Sequence, residues 1–221
     1  MIAATGLLAE ARIAARSPGV RTAVSGGNAT HLAGRIECAI AQGGRAVMSF
    51  GTAGGLGEEL KPGTCLIGSE VVYAGELYRA DAGWTRRLAR LAQAATVERV
   101  AGVDRAVSNP ADKRALQAAT GAAAADMESH CVAAVASRYG LPFAVVRVIA
   151  DPVSRKLPPA ALAGMRSDGG ADIGACLRSL VRDPGQLPTL ASLAVDTARA
   201  LLQLLRCVQT LGPGLGFFDR G

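Results

Sequence analysis

The sequence predicts a single α/β domain built on a mostly parallel sheet, and three observations predict it. Continuous apolar, β-prone runs alternate with amphipathic stretches, an order that implies right-handed crossovers between parallel strands. Small residues dominate and aromatics make up only 4%, so helices can lie close against a sheet. The chain has 221 residues, half of them hydrophobic and 19% charged, which supports a substantial core and excludes a disordered chain. No linker or internal repeat interrupts it, so residues 1–221 read as one domain, with 211–221 as a flexible or packed tail.

In order along the chain, residues 2–5 form a short apolar opening, and Gly6 turns into a small amphipathic helix, LLAEARIAAR. RTAVS (21–25) is β-prone. Asn28 or Thr30 caps a helix whose Leu32, Ile36 and Ile40 recur every four residues. RAVMSF (45–50) reads as a buried parallel strand that stops at a glycine loop, GTAGG (51–55). GTCLIGSEVVYA (63–74) is a strand, 84–95 a helix with an arginine face, 96–103 a strand, and ADKRALQAAT a helix. Alanine propensity predicts one continuous helix from Gly121 to Gly140. FAVVRVIA (143–150) is the strongest strand signal, ended by Asp151-Pro152. A turn-rich stretch with one helix near 173–181 leads to a long helix over 190–211.

Composition excludes several functions. The net charge is +6, yet the arginines are scattered and no aromatics interleave with them, so a nucleic-acid partner is not expected. Five dispersed cysteines without CxxC spacing read as thiols of a reducing compartment. The two histidines have no partner at metal-ligand spacing, so no metal is expected. The N-terminus lacks a signal-peptide pattern and no apolar run reaches the ~20 residues of a membrane span, which points to a cytoplasmic protein. GTAGGLG fits neither the dinucleotide fingerprint nor the Walker pattern, which argues against a nucleotide-dependent oxidoreductase.

Ligands of parallel sheets bind beyond the carboxyl ends of the strands. There the sequence places GTAGG after one strand, Asp151 after another, and Asp126 with Glu128 ahead of the helix leading to that strand. Singly, each has a bland use: a turn, a cap before proline, or an acidic residue favouring a helix dipole.

Together they resemble something specific. GLLAE (6–10), GTAGGLGEELKPGTCLIGSEVV (51–72) and ADMESHCVAAVASRYGLPFAVVRVIAD (125–151) resemble the nucleoside phosphorylase superfamily of purine and uridine phosphorylases and methylthioadenosine/S-adenosylhomocysteine nucleosidases. The resemblance implies a three-layer α/β/α sandwich around a mixed, mostly parallel central sheet. It implies cleavage of an N-ribosyl bond, with Asp151 protonating the leaving purine and Glu10 activating water as the catalytic pair. Glu128 would hold the ribose hydroxyls and face the developing cation, and Met127 would pack under the sugar. Val103, Thr52, Ala53 and Gly54 would complete the substrate site. Gly26, Gly27, Asn28 and Thr52 would hold phosphate or the nucleophilic water. No organic cofactor is implied, only inorganic phosphate as a co-substrate of the phosphorolytic type. Family members assemble as homo-oligomers.

The departures matter too. Too few residues separate Glu10 from Ser25 for the strand pair usual there, so the pocket is expected to be more open. Met48-Ser49-Phe50 stands where phosphorolytic members carry an arginine, which weakens phosphate as nucleophile unless Arg21, Arg35 or Arg45 substitutes. The shortened N-terminal region, RVIADP and LPPAAL together resemble phosphorylase-like proteins associated with hopanoid biosynthesis, which implies a lipid-linked adenine nucleoside, adenosylhopane, as substrate. The basic balance and the tail Leu215–Phe218 would suit weak contact with an anionic membrane surface, peripheral to the inner membrane; a disordered end, or a strip packed on a neighbour, is the plainer alternative. A non-catalytic nucleoside-binding or assembly module of the same fold is the competing function.

Overall fold

The computed structural model describes residues 1–26, 28–164, 169–170 and 172–218. The order of elements is β1 (Ile2–Thr5), α1 (Leu8–Ala14), β2 (Arg21–Val24), α2 (Ala29–Ala41), β3 (Val47–Gly55), β4 (Cys65–Tyr73), β5 (Glu76–Arg79) and α3 (Ala82–Leu91). Then follow β6 (Thr96–Gly102), α4 (Pro110–Thr120), β7 (Ala124–Asp126), α5 (Ser129–Arg138), β8 (Phe143–Asp151), α6 (Pro159–Ala163), α7 (Ile173–Arg182) and α8 (Leu187–Leu211).

All eight strands join one mixed sheet in the order β2-β1-β3-β7-β6-β4-β5, with β8 inserted between β3 and β4. Five of the eight pairings are parallel. Because β3 pairs both β8 and β7, while β4 pairs both β8 and β6, the middle of the sheet curls back on itself. Two apolar cores flank it. Leu32 and Ile36 of α2 and Val132 and Val135 of α5 fill one side. Ala14 of α1, Trp84 and Leu88 of α3, and Leu204 and Val208 of α8 fill the other. The expected layers around a mostly parallel sheet are present. Among the described residues no helix is long and apolar enough to cross a membrane.

Two local expectations are corrected, and one strand the sequence did not announce is added. Gly51–Gly55 is not a loop: β3 runs through it, held in parallel register by β8 from Val47↔Phe143 to Gly54↔Asp151. Ladder hydrogen bonds from a neighbour override the turn preference of glycine, and the glycines serve close approach instead. Residues 121–140 are not one helix. Gly121 closes α4 in a left-handed conformation at φ 65°, residues 124–126 form β7 between β3 and β6, and α5 starts only at Ser129. Alanine's helix preference is a weak prior, and two waiting strand edges outweigh it. The hairpin strand β5 carries the exposed, polar Glu76 and Arg79 and gives no apolar alternation to read.

Between Glu10 and Ser25 there is a single strand, β2, so the shortened connection is as the sequence suggests. The C-terminal tail packs from Leu211 to Phe217: Leu215 is fully buried, the Trp84 indole N–H donates to its carbonyl at 3.2 Å, and Phe217 lies 5.0 Å from the Trp84 ring. Leu215→Ala should therefore lower the unfolding free energy by about 2–5 kcal/mol, read from the urea midpoint. A change within error would mean the tail is not part of the core.

Candidate active site

One cleft of about 280 Å³ opens at the carboxyl ends of β3 and β8. Glu10, Gly26, Thr52, Gly54, Val103, Met127, Glu128 and Asp151 all line it, so residues from six parts of the chain meet as the motifs imply. Two others do not reach it. Ala53 alternates to the opposite side of β3 and packs in the core. Asn28 is occupied as the cap of α2, its side-chain oxygen accepting from the His31 N–H at 3.0 Å. Gly27 lies outside the described residues.

At the centre is a residue not singled out as functional from the sequence. Arg147 of β8 is fully buried. Its Nη2 donates to Ser49 Oγ at 2.6 Å, Asp126 Oδ1 at 2.9 Å and Glu128 Oε2 at 3.3 Å, and its Nη1 to the Thr52 carbonyl at 3.2 Å. Burial alone would lower its pKa, but Asp126, Glu128 and Glu10 together hold it above the ordinary value. The one charged residue amid seven apolar ones in 143–150 was the available signal. Asp126 is spent on structure: it accepts from the Glu128 and Ser129 backbone N–H groups and the Ser129 hydroxyl, fixing the first turn of α5.

Glu128 is thereby placed at the cleft wall, with Oε1 accepting from Ser25 at 2.8 Å. One guanidinium faces three carboxylates, so the cluster carries excess negative charge out of water. Burial first, then Asp126 and Glu10, push Glu128 up to about 7, against the pull of Arg147 and the Ser25 hydroxyl. Glu10, 1% exposed, accepts four hydrogen bonds: from the Gly6 and Leu7 N–H groups at 3.0 Å each, and from the Thr52 N–H and hydroxyl at 2.8 Å each. All its ordinary acceptor positions are taken, so a water on Glu10 has to replace one of these donors. Gly51 permits the arrangement, since a Cβ there would lie 2.7 Å from Glu10 Oε2 and 2.8 Å from Arg147 Nη1.

Asp151, at the far end of β8, is 7% exposed. Burial raises its pKa, and the Lys113 ammonium, 2.5 Å from Oδ2, works against that rise. Oδ1 is buried without a hydrogen-bond partner among the described residues. Lys113 also lines the cleft and carried no signal in the sequence, because DKR at the start of a helix reads as solvated surface. Around the two carboxyls the wall is apolar, with Leu7, Leu56, Val107, Leu157, Leu162 and Leu193. No arginine lines the cleft among the described residues: Arg21 donates to Gln42 and Arg35 to the Val24 carbonyl.

The sequence matches a known family. Residues 5–182 match the model of the phosphorylase superfamily, and the chain belongs to that superfamily. Among solved structures it is similar to the futalosine hydrolase of Helicobacter pylori strain 26695, at 19% identity and a TM-score of 0.65 over 82% of this chain and 97% of that one. It is also similar to the H. pylori 5′-methylthioadenosine/S-adenosylhomocysteine nucleosidase, at 20% identity and a TM-score of 0.64 over 88% of this chain and 97% of that one. The Neisseria meningitidis nucleosidase of the same type, in complex with methylthio-immucillin-A, is 18% identical with a TM-score of 0.63, over 93% of this chain and 97% of that one. Comparison with curated protein sequences gives no match.

The carboxyl carbon of Glu128, followed by NMR, should titrate near pH 7 rather than near its ordinary 4.5. Ser25→Ala removes a donor that favours the carboxylate and should move that titration further up. A midpoint near 4.5 in both proteins would contradict the charge balance described.

Proposed function

We propose that this chain cleaves the N-ribosyl bond of an adenine nucleoside. The observation that carries the reading is that Glu128, Asp151 and an apolar wall belong to one cleft, with Asp151 Oδ1 left without a hydrogen-bond partner among the described residues. Breaking the bond leaves positive charge on the sugar and negative charge on the base. The electron-rich cluster of Glu128, Glu10 and Asp126 faces the first, fixed in place by Arg147 before the substrate arrives. Asp151 answers the second. Its raised pKa keeps a proton on the carboxyl closer to neutral pH, and that proton passes to a ring nitrogen of the departing base.

Water is the nucleophile this cleft favours. Phosphate calls for an uncommitted cation, and the lysine in the wall is bound to Asp151. Thr52 and Gly26, with Glu10, line the part of the cleft where the water would sit. No organic cofactor enters the scheme. The apolar wall supports a nucleoside with a bulky apolar 5′ substituent, and adenosylhopane is the substrate we favour. The exposed apolar side chains of α7, Ile173, Leu177 and Val181, support a homo-oligomer. Arg86, Arg87 and Arg90 beside the exposed Phe218 support weak contact with an anionic membrane surface. The fully occupied acceptors of Glu10 favour a second reading, a module that binds the nucleoside without turnover.

Incubation with adenosylhopane and with simple adenine nucleosides, with and without phosphate, should release adenine and a free ribosyl product in the absence of phosphate. Asp151→Asn should slow release by about 10²–10⁴-fold, the usual worth of a positioned acid. Full activity in Asp151→Asn removes the assigned acid, a phosphate requirement replaces water, and calorimetric binding without adenine release establishes the non-catalytic module. The acid limb of kcat/KM should fall near pH 7, where Glu128 gains its proton and loses its charge, and Glu128→Gln should abolish that limb. A limb unchanged in Glu128→Gln would give it to another group.

A further inference from the structure

We propose that Lys113 is a positioning residue for Asp151, its buried ammonium clamping Oδ2 so that Oδ1 is the single oxygen through which the carboxyl hands its proton to the departing base. The inference rests on the reading of Asp151 as the acid. Lys113 comes from α4, an element the resemblance assigns no part in the chemistry. Asn109 accepts from the Ala111 N–H at 3.0 Å and Pro110 opens the first turn, which sets the rotation of α4 and sends Lys113 inward. The residue is 1% exposed, and a lysine is seldom left so buried unless every donor finds a partner. Here the ammonium reaches three acceptors: Asp151 Oδ2 at 2.5 Å, the Pro152 carbonyl at 2.9 Å and the Arg155 carbonyl at 3.4 Å. It thus ties the strand end and the following turn to α4, and it satisfies Oδ2 while Oδ1 is buried without a hydrogen-bond partner among the described residues.

Two opposing influences meet on Asp151, and the reaction uses each in turn. Burial favours the neutral carboxyl needed before the bond breaks, while the ammonium favours the carboxylate left afterwards. In the step itself the Oδ1–H bond breaks as a ring N–H bond forms, and the electron pair of the bond between sugar and base goes to the base. The negative charge left on Asp151 spreads to Oδ2, where a cation is already hydrogen-bonded, so nothing has to reorganise. Solvent later returns the proton to Asp151. Burial lowers the pKa of Lys113 and Asp151 raises it, with the net direction downward. The other charged groups around the pair are Arg155 in the following turn and Asp196 of α8, which bind each other at 2.5 Å, with Arg199 on the second Asp196 oxygen at 3.1 Å. Those charges pair among themselves, which leaves Lys113 as the cation joined to Asp151.

The test is the pH profile of kcat for an adenine nucleoside that the wild type cleaves, taken for Lys113→Met and Lys113→Gln. Glutamine keeps amide donors for the 152–155 carbonyls, so it guards against simple collapse of the turn. Loss of the cation should lower kcat by about 10–100-fold with little change in KM, within the range that proton transfer supplies. It should also move the alkaline limb to higher pH, because the carboxyl then keeps its proton longer. Added ethylamine should restore part of kcat to Lys113→Ala. A purely structural lysine would lower activity without moving the limb or answering to the amine. An alkaline limb that stays in place in both variants overturns the proposal. Asp151→Asn separates the two claims: if it is fully active the acid assignment fails, and if it is inactive while the limb does not move, the role of Lys113 alone fails.

Discussion

A guanidinium sealed inside the sheet is the constraint from which the rest of this site follows. Arg147 sits on β8, whose nine residues are all buried, and its charge is sustained only because Asp126, Glu128 and Glu10 surround it. Taking such a group out of water costs several kcal/mol unless it is fully paired, so the elements carrying those carboxylates are held to one geometry. β7 must end where Asp126 can reach Nη2, α5 must begin where Glu128 can, and α1 must bring Glu10 under β3. Gly51 follows from the same crowding. The placement of these carboxylates at one end of the cleft is a by-product of neutralising one buried cation.

Charge is divided between the two ends of the cleft. At one end a single cation is outnumbered by carboxylates, which raises Glu128 and makes the region attractive to a developing positive charge. At the other, a carboxyl and a lysine face each other one to one and moderate one another's proton affinity. β8 links the two, with Arg147 and Asp151 four residues apart along one strand. An N-ribosyl bond becomes polarised in this same sense as it breaks, cation on the sugar and anion on the base.

Much of the fold was legible because burial writes itself into the sequence. The apolar runs at 47–50 and 143–150 are strands covered on both faces, and the fourfold spacing of Leu32, Ile36 and Ile40 is a helix resting on one. What stayed illegible depended on partners distant in the chain. The alanines at 122–125 prefer helix locally, yet β3 and β6 offer them open hydrogen bonds, and no local signal records that offer. GTAGG reads as a loop until β8 is laid beside it. In the site, the acidic residues could be named because their motifs are local. Lys113 could not, since its meaning comes wholly from Asp151, 38 residues later. Asn28 shows the opposite hazard, a polar residue in a glycine-rich turn whose side chain is already used by its own helix.

The account stands or falls on whether one bound nucleoside touches both ends of the cleft. The direct measurement is a crystal structure of the slow Asp151→Asn variant with an adenine nucleoside bound. It should show the ribose hydroxyls on Glu128 and a ring nitrogen of adenine within hydrogen-bond distance of the residue 151 side chain. A nucleoside seated elsewhere, or one that reaches Glu128 while its base points away from residue 151, would contradict the central claim.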